Sequence, residues 1–407
     1  MPSFFSKMSH SARIALLALL LSIIGIAACE ISGWPFLRAP VERFTSHQLE
    51  RSIQLGEPFK VRFIGGLRLD LGSLHISAPD KFNVPYLVDA NNISLQLRYR
   101  DVLNTDDADP LRIKSLKVDD IHAYLVRNDA GEASWQFRPD EDREPTPFPR
   151  IETLVVSSGD AVVRDALTQA DIKVAFDSQE GSVESKPVSH ARVEGMFREH
   201  PIQAELQTNG LLPIATRDAD APPMDSEGWL KYGGVKVEFK GLAADILGDK
   251  SIRANFHSTG PSLSLVGDLF KIALPTTSKF SFEGSVKKEN DLLIVDIPKA
   301  RVGQSDLAAK FKYDERGRVP LLAGDLTGKR FVLADLAPTF GTRNTDGSVV
   351  KAREGLVIPN RPLNLPTLNR FDADIKVNLE TVDLGSAFRR PIAPFRAKLT
   401  LDTGNLS

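Results

Sequence analysis

Three runs of residues in this chain could do chemistry, and each fails on spacing or context. Gly324-Asp325-Leu326-Thr327-Gly328-Lys329-Arg330 approaches a phosphate-binding loop, in which backbone amides cradle phosphates and a Lys-Ser/Thr pair holds nucleotide and magnesium. Its glycines stand one residue too close, and Arg330 occupies the hydroxyl position. Asp106, Asp107 and Asp109 gather carboxylates as a cation site would, but Pro110 follows and no glycine-centred calcium loop surrounds them; the run reads as a solvated turn. Asn92-Ile93-Ser94 is a formal glycosylation triplet set inside a strand pattern. Seven histidines (His10, His47, His75, His122, His190, His200, His257) are scattered, with no i,i+4 pair and no metal spacing. A Gly-x-Ser-x-Gly nucleophile elbow is also missing. The chain reads as a non-enzyme without cofactor or metal.

Composition narrows the class further. The 407 residues can bury a large core, and 51 basic against 53 acidic side chains give a formal charge of −2. Nucleic-acid binding depends on neutralising phosphates, and no basic excess is present to supply it. Cys29 is the single cysteine, which excludes internal disulfides and cysteine-based zinc sites.

The elements that position everything else begin with one apolar stretch. Ile14–Cys29 (IALLALLLSIIGIAAC), marked by Ile14, Leu20, Ile24 and Cys29, holds no charge and follows Lys7, His10 and Arg13. As a helix it measures about 24 Å against a hydrocarbon core of about 30 Å. A span therefore needs the helix to continue; Trp34 and Phe36 would then supply an aromatic interface belt, with Glu30 near the headgroups. Lys7 and Arg13 favour a cytoplasmic N-terminus and an exported body, and Arg38 and Arg43 lessen that asymmetry without reversing it. Two other readings stay open. One is a cleaved secretory signal with an apolar core at Ile14–Ile26. The other is a lipoprotein signal, since Ile26-Ala27-Ala28-Cys29 resembles a bacterial lipobox that would leave Cys29 lipidated. All three export the body.

Beyond this stretch the pattern is mainly β. Pro40 predicts the first residue of a helix, because its missing N–H is unpaired there anyway; the helix should run to about Ile53 and be stopped by Gly56. From Phe59 the apolar period changes from about 3.6 to about 2. Strands are predicted at Phe59–Phe63, then after a Gly65-Gly66 turn at Leu67–Leu71, and at Leu74–Ile76, Ile93–Leu97, Ile113–Val118 and Tyr124–Val126. Past an Asn128–Gly131 turn comes Trp135–Phe137. Later strands are expected at Val235–Phe239, Ser251–His257, Lys279–Val286, Leu292–Ile297, Ala308–Tyr313, Leu321–Leu326, Phe371–Leu379 and Ala397–Leu401. A short helix, begun by Pro261 and ended before Pro275, has apolar positions suited to packing on the sheet. Arg138–Arg150, Pro213–Glu227 and Thr342–Leu368 carry proline and charge that argue against regular structure.

A soft internal repeat sets Leu116, Val118, Ala123 and Val126-Arg127-Asn128 against Leu154, Val156, Ala161 and Val163-Arg164-Asp165. Each copy reads as a strand, a turn and a returning strand, so the body would grow by hairpin-like units. Three segments result: 1–35, a cytoplasmic tail with the anchor or signal; 36–140, the start of a β-groove with its leading helix; and 150–407, the continuing groove. The chain stops at Gly404-Asn405-Leu406-Ser407, in what reads as the turn into another strand, so the natural or an ancestral protein is expected to continue.

A sheet with one apolar face must bury it, and two short helices cannot cover this many strands. Either the sheets close into sandwiches, or one elongated antiparallel sheet curls and its inner face is covered by lipid tails. On the second reading Leu67, Leu69, Leu71, Ile93, Leu95 and Leu97 are the candidates for the groove wall. Their parity is set by hydrophobicity alone, and a slip of one residue would invert it.

The order of several blocks resembles the AsmA family of bacterial envelope proteins, which are related to bridge-like lipid-transfer proteins. Trp34-Pro35, Arg38–Phe44, Leu67–Leu71 and Leu74–Pro79 match the amino-terminal signature; Leu116, Val126–Gly131 and Trp135-Gln136-Phe137 match a second block with its Gly-x-x-x-Trp turn. Pro261 to Pro275, Phe282-Glu283-Gly284, Val302–Leu307 and Pro320–Leu326 resemble later blocks, so the resemblance covers nearly the whole chain. It implies a single-pass inner-membrane anchor and a periplasmic groove resembling a folded taco. The implied ligands are phospholipid acyl chains, and the implied role is glycerophospholipid transport or outer-membrane homeostasis. Outer-membrane or periplasmic proteins are the implied further partners. The lipobox-like Cys29 departs from the family pattern. The alternative role is a non-enzymatic modulator of outer-membrane protein assembly acting through protein contacts.

Overall fold

The computed structural model of the chain describes residues 10–103, 112–136, 150–180, 188–209, 224–244, 251–270, 274–340, 372–385, 390–402 and 405–406. Lys7, Asp106, Asp107, Asp109, Pro110, Phe137, Phe371, Gly404, Ser407 and the segments 138–149, 213–223 and 342–368 lie outside them. The described residues are mainly β, with few helices, and fall into two compact units, Met1–Pro187 and Val188–Ser407.

In the first unit, α1 (His10–Ser32) is one continuous helix. Its 19 residues from Ile14 to Ser32 have a mean hydropathy of 2.6, with no residue of the apolar stretch buried in the protein, and measure about 28 Å. The helix thus passes beyond Cys29, as a span requires. It does not carry Trp34 and Phe36: Gly33 and Trp34 take φ values of 83° and 49°, breaking the helix before a short turn at Pro35–Leu37. α2 (Arg38–Leu49) starts two residues before Pro40 and ends at Leu49, short of the predicted Ile53. Glu50 adopts a left-handed φ of 52°. Ile53 is instead drawn into the sheet opposite Ile76, where its burial outweighs continuation of a weakly amphipathic helix.

The strands are β1 (Ile53–Leu55), β2 (Phe59–Arg62), β3 (Leu67–Ile76), β4 (Val88–Leu97), β5 (Arg112–Arg127), β6 (Arg150–Ile151), β7 (Leu154–Asp165) and β8 (Ala170–Glu180), with α3 (Tyr99–Leu103) between β4 and β5. β1 and β2 share the outer edge of β3; β3, β4 and β5 pair antiparallel, and β7 pairs antiparallel with β8. Gly65 and Gly66 turn β2 into β3 with φ of 85° and 125°. Short strands predicted separately have merged: Leu67–Leu71 with Leu74–Ile76, and Ile113–Val118 with Tyr124–Val126. Trp135 lies in no strand; it follows a lone bridge between Arg127 and Ala133, and the turn at Asn128 closes on its own carboxamide, which accepts from the N–H groups of Ala130 and Glu132.

The internal repeat corrects more instructively. β5 and β7 do not fold back as hairpins; each is a single strand, and they lie side by side in parallel. Leu116 stands opposite Leu154, Val118 opposite Val156, Ala123 opposite Ala161 and Arg127 opposite Asp165. The residues between the apolar positions, Asp119 to His122, contain none of the Gly or Pro that a reversal would need. Parallel pairing instead sets the apolar positions Leu116, Val118 and Ala123 of one copy beside Leu154, Val156 and Ala161 of the other.

In the second unit the strands are β9 (Ser189–Phe197), β10 (His200–Thr208), β11 (Met224–Tyr232), β12 (Val235–Ala244), β13 (Ser251–Gly260), β14 (Phe280–Glu289), β15 (Leu292–Val302), β16 (Ser305–Asp314), β17 (Leu321–Val332), β18 (Asp372–Leu379), β19 (Val382–Asp383), β20 (Phe395–Asp402) and β21 (Asn405–Leu406). From β9 to β17 each strand pairs antiparallel with the next. β18 and β19 run parallel along β17, and β20 and β21 follow antiparallel. Among the described residues the two edges do not meet, so this sheet is open. The expected helix is α4 (Leu263–Phe270). The excursion predicted to Glu227 ends sooner, because Met224–Glu227 already pair with β12. β8 to β11 were not predicted: small inward residues such as Ala191, Gly195, Ala204 and Gly228 weaken the apolar alternation of β9 to β11, whereas Ile172, Val174 and Phe176 of β8 alternate cleanly and were passed over.

Candidate functional site

The six wall candidates meet as three directly opposed pairs on β3 and β4: Leu67 with Leu97, Leu69 with Leu95, and Leu71 with Ile93. The rows extend to both sides, from Val61 and Phe59 on β2 to Leu116 and Val118 on β5 and Leu154 and Val156 on β7. Their surroundings differ. Leu71 and Ile93 are 6% and 7% exposed and sit in a dry cluster with Ile53, Leu55, Phe59, Val61, Ala90 and Val118. Leu37, Val41 and Leu49, on and just before α2, close that cluster from above. Leu67 and Leu69 are half-buried at its margin, and Leu95 and Leu97 are half-buried outside it.

A crease crosses these strands. Leu71 and Leu74, Ala90 and Ile93, and Val118 and Ile121 share one cluster although each pair is three residues apart, a spacing that strict alternation places on opposite faces. The change of face falls at Gly72 and Asn92. A Cβ on Gly72 would lie 1.9 Å from the Glu57 carbonyl oxygen, so only glycine fits. Asn92 takes φ 51°, and its Nδ2 donates to Asp119 Oδ2 at 3.0 Å. The glycosylation-like Asn is thus a crease residue.

In the second unit the apolar face is longer. One row crosses eleven strands: Val193, Ala204, Leu230, Val237, Ser258, Phe282, Ala300, Leu307, Gly328, Leu379 and Phe395 stand opposite one another in turn. A neighbouring row runs Ala254, Val286, Val295, Phe311, Gly324, Ile375 and Leu399. Among the described residues, two small clusters of buried side chains lie on this face. α4 caps one end, packing Leu263, Leu265 and Val266 on Val235, Phe280 and Val302, and a second small cluster gathers at Val377, Leu379 and Val382. Phe256, Val286, Val295 and Phe311 lie between them, half-buried and in neither cluster.

The opposite face is ionic. Arg192 pairs with Glu205 at 2.7 Å, Lys240 with Glu227 at 2.6 Å and Lys299 with Glu283 at 2.8 Å, all across neighbouring strands. Arg192 and the Trp229 indole N–H together hold the Glu205 carboxyl below its ordinary range. Exposed pairs of this kind add little stability; they keep this face wet and define the other as the apolar one.

The remaining charged clusters brace strands. Arg127 forks onto Asp165 where β5 and β7 end, with Nε to Oδ1 at 2.9 Å and Nη2 to Oδ2 closer still. Asp165 also accepts from the N–H groups of Leu167 and Thr168. The guanidinium holds its carboxyl far below the usual carboxylate range. Asp335 is buried and accepts from Gln304 N–H at 2.9 Å, Ser305 N–H at 3.0 Å and Ser305 Oγ at 2.8 Å, fixing the turn between β15 and β16. Among the described residues no three His, Cys, Asp or Glu side chains converge as metal ligands would. Gly324–Arg330 is an extended part of β17, not a loop. Gly324 leaves room for the Phe311 ring, and Gly328 for Leu307 and Leu379; a Cβ at either would lie 2.7 Å from the Phe311 ring or from Leu307. What the faces can do chemically is hold hydrocarbon, at about 0.8 kcal/mol for each methylene removed from water.

The chain is 20% identical over 331 residues to AsmA family protein YhjG of Escherichia coli (strain K12), an alignment that takes in 72% of this chain and 48% of that protein. The chain spans about half the length of this curated relative. The likeness is distant and agrees with the family resemblance of the sequence blocks. No family model and no solved structure matches the chain.

Proposed function

We propose that this protein is a membrane-tethered lipid-binding protein of the bacterial envelope that supports glycerophospholipid transport between inner and outer membranes. α1 spans the inner membrane once and the body lies in the periplasm. The observation that carries the reading is the second unit's largely apolar face, which crosses eleven strands with Ser258 as its polar member and, among the described residues, gathers its buried clusters at α4 and at Val377–Val382. The reverse side of this face carries ion pairs, and contiguous apolar surface opposite a charged one marks an interaction site. Acyl chains lie along it while headgroups stay in water. Each methylene left in water costs about 0.8 kcal/mol, and a row of mostly apolar contacts spares a moving chain most of that cost at each step.

The test is mass spectrometry of phospholipid bound to the full chain purified in mild detergent. Stoichiometric phospholipid is expected, and a chain that carries none would return the reading to a modulator acting by protein contacts. Topology is tested separately by fusing a reporter active only in the periplasm after Leu401; activity is expected, and an active cytoplasmic reporter at that place would overturn the orientation. Recovery of Cys29 within the uncleaved chain is the expected result for a spanning α1, whereas a lipidated N-terminal Cys29 would replace it by the lipoprotein reading.

A further inference from the structure

The end of α1 is fastened to the first sheet by a set of hydrogen bonds outside the apolar wall. Glu30 Oε1 accepts from the N–H groups of Phe63 and Ile64, each at 2.8 Å, and Oε2 accepts from Trp34 Nε1 at 2.9 Å. The Val61 N–H donates to the Gly33 carbonyl at 2.8 Å, and the Tyr99 hydroxyl donates to the Phe63 carbonyl. Together they hold the tip of the β2–β3 hairpin, Phe63–Gly66, beside the point where α1 ends. The Trp34 ring packs on Phe36 and Phe63 with centroids 5.8 and 5.5 Å away.

The outward side of this group is bare. Ile64 is 81% exposed, Phe36 61% and Tyr99 45%, and a Cβ on Gly65 would meet nothing within 4 Å. At the root of the hairpin Arg62 and Arg68 stand directly opposite each other, both exposed. Like charges so placed oppose strand pairing, which an anion between or beyond them would relieve; the Gln96 carboxamide oxygen accepts from Arg68 Nη2 at 2.9 Å but carries no charge. Glu30 lies within electrostatic reach of Arg62, but its oxygens are committed to Phe63, Ile64 and Trp34.

We propose that Trp34, Phe36, Phe63, Ile64 and Tyr99 form a foot resting in the headgroup layer of the membrane that α1 enters, with Arg62 and Arg68 on lipid phosphates. Continuity identifies the occupant. No residue of α1's apolar stretch is buried in the protein, Ile31 near its end is as exposed as Ile64, and the hydrogen bonds through Glu30 and Gly33 keep the hairpin tip at the level where the helix emerges. Tryptophan and tyrosine concentrate at that level, and paired basic side chains are drawn to anionic lipid surfaces. Resting on the lipid-binding reading above, this sets the Leu67–Leu97 end of the first sheet against the membrane, where an acyl chain would enter.

The test uses the full chain, Cys29→Ser, in vesicles of phosphatidylcholine with a minority of phosphatidylglycerol. Ile64→Cys carries a nitroxide, and Leu167→Cys, an exposed position beyond the far end of β7, carries the reference. The label at 64 is expected to collide several-fold more with a lipid-soluble relaxant than with an aqueous nickel chelate, and the label at 167 to show the reverse. A label at 64 that behaves like that at 167, or that is shielded from both reagents as a protein contact would shield it, overturns the proposal. In a second arm the label at 64 should lie deeper with phosphatidylglycerol than in phosphatidylcholine alone, and Arg62→Gln with Arg68→Gln should abolish that difference; a lipid dependence unchanged by the pair overturns their role. These depths do not depend on lipid held in the body, so a chain that binds no phospholipid in detergent fails the functional reading while leaving the foot standing.

Discussion

The two units carry the same alternating grammar and bury it to different degrees. In the first, the β3–β4–β5 face is closed at Leu71, Ile93 and Val118 by α2 and by the short strands β1 and β2. Among the described residues of the second, thirteen strands share α4, a 3-10 turn at Leu333–Phe340 and two clusters of three buried residues each, and most of the face stays half-buried. Strand patterning therefore does not say whether a face is core or wall. That depends on whether another element is at hand to lie on it.

Aspartate substitutions sharpen this contrast, and Leu71→Asp should have the largest effect. A carboxylate at a 6% exposed site has no partner and no water, which costs about 4 kcal/mol or more. Hydrogen exchange across β3 to β5 is expected to show loss of protection there, with β12 to β17 unaffected. Leu95→Asp, at the open margin, should cost clearly less; equal collapse of both would mean that the first face is closed throughout.

Asp335→Ala comes next. It removes three hydrogen bonds to a carboxylate and leaves the buried Ser305 N–H unpaired, for about 2–3 kcal/mol. The expected readout is early urea unfolding confined to β15–β17 in exchange experiments. Asp335→Asn, which keeps an acceptor oxygen, should recover part of the loss.

Asp165→Asn tests the brace between β5 and β7, worth about 1–2 kcal/mol since Arg127 remains partly open to solvent. The sign with pH is fixed. The folded-state pKa of Asp165 is depressed by Arg127, so its contribution is fully present above the unfolded value near about 4 and is lost as pH falls below that towards the folded value. Thermal melts between about pH 5 and pH 2 should show a steeper decline for the unsubstituted chain than for Asp165→Asn; parallel declines would show that the pair contributes nothing.

Phe311→Asp should perturb the fold least, within about 1 kcal/mol, because a carboxylate on an open wall can hydrate once lipid leaves. Bound phospholipid should nevertheless fall. A collapsed second unit would show that this face is a dry core after all, and an unchanged lipid load would take Phe311 off the lipid path.

Much of this was legible in the residues because it is local. Phe59, Val61, Leu67, Leu69 and Leu71 alternate without interruption, and Gly65-Gly66 can hardly do anything but turn. Pro261 and Pro275 bracket α4. Where the sequence misled, a distant partner decided. Ile53 left the predicted helix for Ile76, a residue far along the chain. The repeat around Leu116 and Leu154 was visible as a spacing, but whether each copy folds on itself or lies beside the other depends on pairing that no local signal encodes. β9 to β11 escaped notice because small inward residues flatten their period; β8, with Ile172, Val174 and Phe176 in alternation, was legible and was missed.

By itself, then, the sequence determined an apolar helix ahead of a mainly β body and the strands' alternation, both of which depend on side chains within a few residues of one another. Only the tertiary structure decided the parallel pairing of β5 with β7, the crease at Gly72 and Asn92 that turns Leu71 and Leu74 to one side, and the division of one pattern into a closed core and an open wall. Those outcomes depend on contacts between residues far apart in the chain, whose formation is set by what else is free to pack there rather than by the pattern of either partner.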